Sequence, residues 1–492
     1  MTKGILLLVS ISISVSLWSV ARVRADELSD LKRQVTRFQK KAAQAAELEE
    51  LKEQIAGLQN RIIQLEAGQG FKEEPVSGQI EEPKKDKPEA ALTDLKAFWK
   101  EGLTFVTRDG NFKLKTGGRI QNDWLWMSED NDIENDVVGG SALGDQEDGT
   151  EFRRVRLRLS GLIYGNVEFK VQSDFAGGDT DFKDVYIGLL DFPLGKIRVG
   201  HFKEPFSLEE VTSSNDITFL ERALPNALVP SRNTGVMLHG TALAASGPRM
   251  TWAAGMFRDT PDDGDIQDDG GYNVTGRLTW LPRYEDGGVS LVHLGAAYSL
   301  RNPNDDTARY SSRPEAHLSD RFVDTGSFAS DDVDLLGLEA ACVSGPLSIQ
   351  GEYIFANADV ASSANFKGYY AQASYFLTGE HRIYKPSEGA FSRVKPKENF
   401  NYGDGAGAWE VALRYSGLDL DDNRITGGNL HGFTTGLNWH PNPNTRLMWH
   451  FWMLTPLHVP MEIAHCAFQT SMKSDLQRNP LPTYAPILLI FR

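Results

Sequence analysis

Between Glu151 and Lys203 the chain changes character at every second residue, reading EFRRVRLRLSGLIYGNVEFKVQSDFAG and then DFKDVYIGLLDFPLGKIRVGHFK. Successive side chains of an extended strand point to opposite sides. Val155, Leu157 and Leu159 therefore share one face, and Arg154, Arg156 and Arg158 the other. Val167, Phe169 and Val171 then oppose Glu168, Lys170 and Gln172, and Val185, Ile187 and Leu189 oppose Asp184, Tyr186 and Gly188. Two folds accommodate this pattern. A soluble sandwich would turn the arginines to solvent and bury the apolar face. A membrane-spanning barrel inverts the sheet, with the apolar face against lipid and the charged face lining water.

The rest of the chain bears on the choice. Its 492 residues can hold several ordinary domains or one large barrel. A formal charge of -16 argues against a nucleic-acid partner, which calls for a net basic face. Cys342 and Cys466 are too few for a disulfide framework, and neither stands in a metal-ligand cluster. Residues 1–25 read as a signal peptide: Lys3, an apolar run from Ile5 to Val20, and a small-residue cleavage site at Val23-Arg24-Ala25. Before the chain's end no later stretch reaches the ~20 apolar residues of a membrane helix, so an exported chain of this kind spans a membrane as a barrel or not at all.

Residues 26–67 carry a coiled-coil seam, Leu28, Leu31, Val35, Phe38, Ala42 and Ala45, resumed out of phase by Leu48, Leu51, Ile55, Leu58, Ile62 and Leu65. This helix is expected in the periplasm, where it would serve oligomerisation; the alternative is one long amphipathic helix packed on the protein's own body. Residues 68–100 form a linker with Pro75, Pro83 and Pro88 among Glu and Lys. From 101 to 450 the texture is strand after strand, bounded by Gly, Asp and Asn. FKLKTGGRIQNDWLWM sets Phe112, Leu114, Ile120, Trp124 and Trp126 against Lys113, Lys115, Arg119, Gln121 and Asp123. Aromatic residues near strand ends (Trp252, Phe257, Trp280, Tyr298, Tyr375, Trp409, Tyr415 and Trp439) suit an interfacial girdle. Tight turns at Tyr164-Gly165-Asn166 and Phe192-Pro193-Leu194-Gly195 alternate with long acidic loops such as SEDNDIENDVVGGSALGDQEDGTE and RDTPDDGDIQDDGG. Short turns at one end and long loops at the other favour the barrel.

The segments FRRVRLRLSGLIYGNVEFKVQSDFAG, HFKEPFSLEEVTSSNDITFLERALP, RNTGVMLHG, GYNVTGRLTW, LLGLEAACVSGPLSIQGEYIFA, GYYAQASYFLTGEHRIY and GAWEVALRYSGLDL, in this order, resemble the phosphate-selective porin O/P family of Gram-negative outer membranes. The resemblance covers roughly residues 100 to 449, and HFKEPFSLEEVTSSNDITFLERALP is its most specific element. It implies an all-β transmembrane antiparallel barrel of about sixteen strands, trimeric, with a loop folded into the pore. The HFKEPFSLEE region is expected at the constriction.

Such a lumen would be lined by cations, because arginine forks onto oxyanions and lysine acts as a hydrated point charge. The expected pore-lining, anion-binding residues are Lys113, Lys115, Arg119, Arg154, Arg156, Arg158, Lys170, Lys196 and Arg198 on the wall. Lys203, Arg222 and Arg232 join them at the constriction. The alternative for any one of them is an ion pair with Glu168, Asp174 or Asp184. The expected function is passive uptake of small anions, phosphate or polyphosphate among them, with outer-membrane lipid as surroundings and no cofactor, metal or catalytic residue. The acidic outer loops oppose this and would gather cations; their carboxylates match no strict calcium-loop spacing. A general or cation-leaning porin, its coiled coil also tethering the membrane to peptidoglycan, is the alternative. An enzyme barrel has little support, since His201, His239, His293, His381 and His431 are scattered without a Ser/His/Asp pattern.

Residues 451–492 depart from the family, with prolines at 456, 460, 480, 482 and 486 and an end at Arg492 after Phe491. The expectation is a tail altered by a shifted frame or degenerate gene end, and a barrel with or without a normal closing strand.

Overall fold

The computed structural model describes residues 95–99, 102–127, 137–138, 141–142, 146–242, 247–266, 270–360, 363–456 and 487–491. The signal segment, the coiled coil at 26–67, the linker up to residue 94, Cys466 and much of the 451–492 tail lie outside these residues, as does part of the first acidic loop.

Eighteen strands form one sheet. In chain order they are β1 (Leu95–Trp99), β2 (Leu103–Thr107), β3 (Lys113–Leu125), β4 (Gly149–Ile163), β5 (Val167–Asp174) and β6 (Asp181–Phe192). Next come β7 (Gly195–Lys203), β8 (Arg232–Ala242), β9 (Met250–Arg258), β10 (Tyr272–Glu285), β11 (Ser290–Arg301) and β12 (Val333–Ser344). The last six are β13 (Leu347–Ala358), β14 (Ala364–Phe376), β15 (Ala408–Asp422), β16 (Ile425–Asn442), β17 (Thr445–Pro456) and β18 (Ile487–Phe491). From β3 onward each strand pairs antiparallel with the next, and the short β1–β2 hairpin joins the start of β3. β1 includes residues read from sequence as linker, and β17 runs through Pro456, past the boundary expected at 451. β18 pairs with Thr445–Trp449 of β17 on one side and Ile120–Trp124 of β3 on the other.

Exposure decides between the two sequence readings. In β12 Leu338 is 49% exposed while its neighbour Glu339 is 5% exposed. In β13 Leu347, Ile349 and Tyr353 are outside, and Ser348, Gln350 and Glu352 are buried. A water-soluble sheet does the reverse, because burying carboxylates and exposing leucine in water is costly on both counts. An apolar exterior around a polar interior suits a sheet surrounded by lipid. No helix among the described residues is long and apolar enough to cross a membrane. Trp280, Tyr298 and Tyr375 lie on the outer face as a girdle requires, but Phe257 does not. It is 1% exposed and packs inside with Phe202 and Met237, because its register places it on the interior face of β9.

The connections follow the expected asymmetry only in part: the two-residue turn from β15 to β16 lies at the long-loop end. Tight turns join β4 to β5, β6 to β7 and β12 to β13 at one end; in the first, Tyr164 and Gly165 both adopt positive φ (50° and 75°). That backbone twist suits a two-stranded hairpin. Residues 204–231 and 302–332 connect strands at the opposite end. Residues 377–407, however, form a long connection at the tight-turn end, since Tyr375 lies across from Leu347 beside the β12–β13 turn.

Candidate functional site

Among the described residues, three connections reach into the interior. Residues 204–231 hold the single helical turn α1 (Leu208–Val211), and they dock against the far wall, β13 to β17. The Glu352 carboxylate accepts the Leu208 and Glu209 N–H groups at 3.0 and 2.8 Å, and Ser207 Oγ accepts the Glu210 N–H at 3.1 Å. Arg414 donates to the Glu221 carbonyl at 3.1 Å, Asn438 to Thr218 at 2.9 Å and Arg446 to Ile217 at 2.6 Å. These bonds satisfy backbone groups of an irregular segment that has no strand partner of its own.

Residues 377–407 supply a second inner segment. Arg277 donates to the Gly389 carbonyl at 2.9 Å, the Arg382 guanidinium stacks 3.8 Å from the Phe391 ring, and the Phe391 N–H reaches Thr212 Oγ1 at 3.4 Å. From residues 302–332, Glu315 comes inward to Arg414, to Ser416 at 2.6 Å and to Thr434 at 2.7 Å.

With the inner loop held on the far wall, a cavity of about 640 Å³ lies between it and the strands β3 to β8. Of the twelve residues expected on the pore, nine line it: Lys115, Arg119, Arg154, Arg156, Arg158, Lys170, Lys203, Arg222 and Arg232. Arg198 lines an adjoining cavity. Lys113 and Lys196 line neither and are exposed, each at the tight-turn end of its strand.

Four further cations line the cavity: Arg153, Lys183, Lys385 and Arg393. The first two stand at parity positions that point them outward. Both are turned inward by β-bulges. Gln121 lies across from Arg154 and Asn122 from Phe152, so Arg153 is the extra residue; Val171 lies across from Val185 and Ser173 from Phe182, which puts Lys183 in the second irregularity. A bulge places two residues against one and re-aims a side chain. The doublet Arg153-Arg154 in an otherwise alternating run is the one sequence sign of the first. Lys385 and Arg393 come from the inner segment 377–407, where strand periodicity says nothing.

Many of these cations are engaged. Arg156 meets Asp174 at 2.6 Å, Arg198 meets Glu168 at 3.0 Å, and Asp184 bridges Lys170 and Arg232, the latter at 2.7 Å. Arg119 donates to Ser214 Oγ at 2.6 Å, and Lys183 meets Asp262 at 2.5 Å. Arg222 and Lys203 hold the end of α1: Arg222 pairs with Glu210 at 3.0 Å and donates to the Glu209, Glu210 and Thr212 carbonyls, and Lys203 reaches Glu210 at 3.2 Å. Arg153 and Arg154 converge on Glu221 at 2.5 and 3.5 Å. Burial pushes the Glu221 carboxyl up, but Arg153 and then Arg154 outweigh it and hold it far below the usual carboxylate range. Glu210 is held low in the same way, by Arg222 and Lys203 against its burial. Even so, among the described residues thirteen lysines and arginines line the cavity against five carboxylates, with Glu221 and Asp174 pairing with three of the arginines from beyond the lining. Ion pairing neutralises only part of that charge.

An antiparallel sheet with an apolar exterior, folded-in connections and a charged interior is the plan of an outer-membrane β-barrel channel. Sequence comparison names the group: the chain belongs to the phosphate-selective porin O and P family, whose sequence model matches residues 125–455. Porin O of Pseudomonas aeruginosa is 29% identical over 398 residues, covering 72% of this chain and 85% of that protein. A protein of Caulobacter vibrioides described as uncharacterized is 29% identical over 389 residues, covering 76% of this chain and 74% of its own length. Among solved structures, the anion-selective porin from Comamonas acidovorans matches with a TM-score of 0.46 at 14% identity, covering 77% of this chain and 99% of that one. The outer-membrane channel DcaP of Acinetobacter baumannii matches at 0.46 and 11%, covering 80% and 99%. The chain is an outer-membrane porin.

Proposed function

We propose that the chain forms a water-filled channel for small anions, phosphate and polyphosphate among them, and that β3 to β18 close as a sixteen-strand barrel. The observation that carries the anion reading is the cavity lining of thirteen cations and five carboxylates. Surplus positive charge lowers the cost of an anion leaving bulk water, while many weak neighbouring sites let it pass onward. The two ladders made by β18, to β17 and to β3, support closure. A closed ladder leaves no strand edge for lipid to contact.

Assembly as a homotrimer is proposed from family membership. Tethering to peptidoglycan through residues 26–67 is an added role that a cell-wall pull-down tests. The acidic outer loop enters the picture at Asp262, which lines the cavity and pairs with Lys183.

Single-channel currents in a planar bilayer under a salt gradient test the reading. An anion-selective current that millimolar phosphate blocks is expected. A cation-selective current unaffected by phosphate would overturn it in favour of a porin ruled by its acidic mouth.

A further inference from the structure

A second cavity, of about 290 Å³, adjoins the cation-lined one and shares with it Lys170, Asp184, Tyr186, Lys203 and Glu388, together with the small apolar Val211 and Ala390. Its lining is different in kind. Phe202, Pro205, Met237, Trp252 and Ala253 bring apolar surface to it and line only this lobe, whereas charged and hydroxyl side chains dominate the larger cavity. Phe202 and Met237 pack with Phe257, and Tyr186 and Ala253 lean on that cluster, so this side of the lobe rests on packed hydrocarbon. Beside it stands one cation held from three directions. The Arg198 guanidinium lies 4.1 Å from the Tyr186 ring centroid, 5.5 Å from that of Phe202, and 3.0 Å from Glu168. Stacking on rings fixes a planar guanidinium while leaving its edge able to donate.

A hydrated inorganic anion gains nothing from hydrocarbon, because the hydrophobic effect rewards only apolar surface removed from water. An anion carrying an apolar group gains on both lobes at once. The volume is sufficient, since a cavity of ~150 Å³ holds a benzene ring.

Building on the anion-channel reading, we propose that this double cavity recognises phosphate monoesters with a small aromatic or apolar substituent. The phosphate group sits on the shared edge formed by Lys170 and Lys203, and the substituent enters the lobe bounded by Phe202, Met237 and Ala253. Two carboxylates share this edge, and both are paired, Asp184 with Lys170 and Arg232 and Glu388 with Lys385, which reduces their repulsion of the phosphate.

The test uses the purified full chain in a planar bilayer and compares current block by inorganic phosphate, methyl phosphate and phenyl phosphate, with phenol as a neutral control. Phenyl phosphate is expected to reach half-block at a concentration roughly tenfold below methyl phosphate, as partial burial of a ring implies, with no block by phenol. Met237→Gln, checked for folding by its heat-modifiable mobility on gels, is expected to shrink that ratio; Ala253→Ser serves if the first variant fails to fold. Equal block by the two esters, block by phenol, or an unchanged ratio in both variants overturns the proposal while the anion channel stands. Absence of block by all three phosphates in an otherwise conducting channel removes the anion reading, and this inference with it.

Discussion

The Arg153 Nε atom stands 2.5 Å from Glu221 Oε1, joining a β-bulge on the channel wall to the inner loop that crosses the lumen. A second bond, from Arg153 Nη2 to Glu221 Oε2 at 3.1 Å, makes the pair bidentate. Arg154 approaches the same carboxylate at 3.5 Å. Glu221 thus ties two wall arginines across to the strands on the opposite side, because its backbone carbonyl accepts from Arg414.

Replacing Glu221 with Ala leaves the buried Arg154 and the half-buried Arg153 without their shared partner. Breaking a buried pair from one side costs about 3 kcal/mol. The expected result is a lower urea midpoint for unfolding from detergent or lipid and a noisier, larger single-channel current. Equal stability and conductance in the variant would show that Arg414 and the other backbone anchors suffice.

The acid limit of this arrangement has a definite sign. Burial raises the Glu221 carboxyl, yet Arg153 and Arg154 pull it far below its ordinary value of 4.5, and Glu210 is lowered likewise by Arg222 and Lys203. A depressed carboxylate pKa contributes stability that is present above the unfolded value and is lost as pH falls through the folded one. The stability that the Glu221 and Glu210 pairs give the loop is therefore expected to be fully present above about pH 4.5 and to be lost as the pH falls further. Single-channel records at stepped pH check this; a transition at higher pH would point to another group, such as Glu209, whose carboxyl is raised by its burial.

Asp184 is the carboxylate at the centre of the cationic wall, bridging Lys170 and Arg232. Asp184→Asn keeps the shape and removes the charge. Anion selectivity is expected to rise, with phosphate block strengthened by about fivefold, or roughly 1 kcal/mol for one screened charge. Reversal potentials and phosphate titrations measure both. Weaker block would mean that Asp184 positions the two cations more than it offsets them.

Gly389 has φ +61°, and a Cβ there would lie 2.7 Å from Thr251 Oγ1 and 3.1 Å from Thr279 Oγ1. Its carbonyl also accepts from Arg277. Gly389→Val combines left-handed strain of about 1–2 kcal/mol with a collision against the wall. The segment around residues 384–391 is expected to lift from the wall and enlarge the conductance. An unchanged current would show that this segment does not limit the pore.

The bulges make a labelling prediction. In a background lacking the native cysteines, cysteine at 153 or 183 should react with a water-soluble, membrane-impermeant thiol reagent from the channel interior. Cysteine at 152 or 187 should not, because Phe152 and Ile187 are 60% and 62% exposed on the outer face, where lipid excludes the reagent. Reaction at 187 as fast as at 183 would contradict the assigned faces.

Alternation alone settled much of this protein. A two-residue period determines which side chains share a face, so the arginine row at 154, 156 and 158, and Arg119, Gln121 and Asp123 on β3, could be assigned together to one polar side. The HFKEPFSLEE run pointed to an inward-folded connection only through its resemblance to the family, and residues 204–231 do dock on the inner face of β13 to β17. Period says nothing about height along the strand, which is why Lys113 and Lys196 were grouped with the lining although they sit exposed at the tight-turn end. Nor does it register a bulge. One inserted residue flips parity locally, and Arg153 and Lys183 entered the cavity by that route. What only the tertiary structure decided was the division of the interior. Long-range bonds from Glu352, Arg414, Asn438 and Arg446 pull the inner loop onto one wall, and the segment 377–407 folds in from the tight-turn end. These contacts join residues more than a hundred positions apart, through backbone groups that any sequence carries, and they leave the cationic wall facing open space.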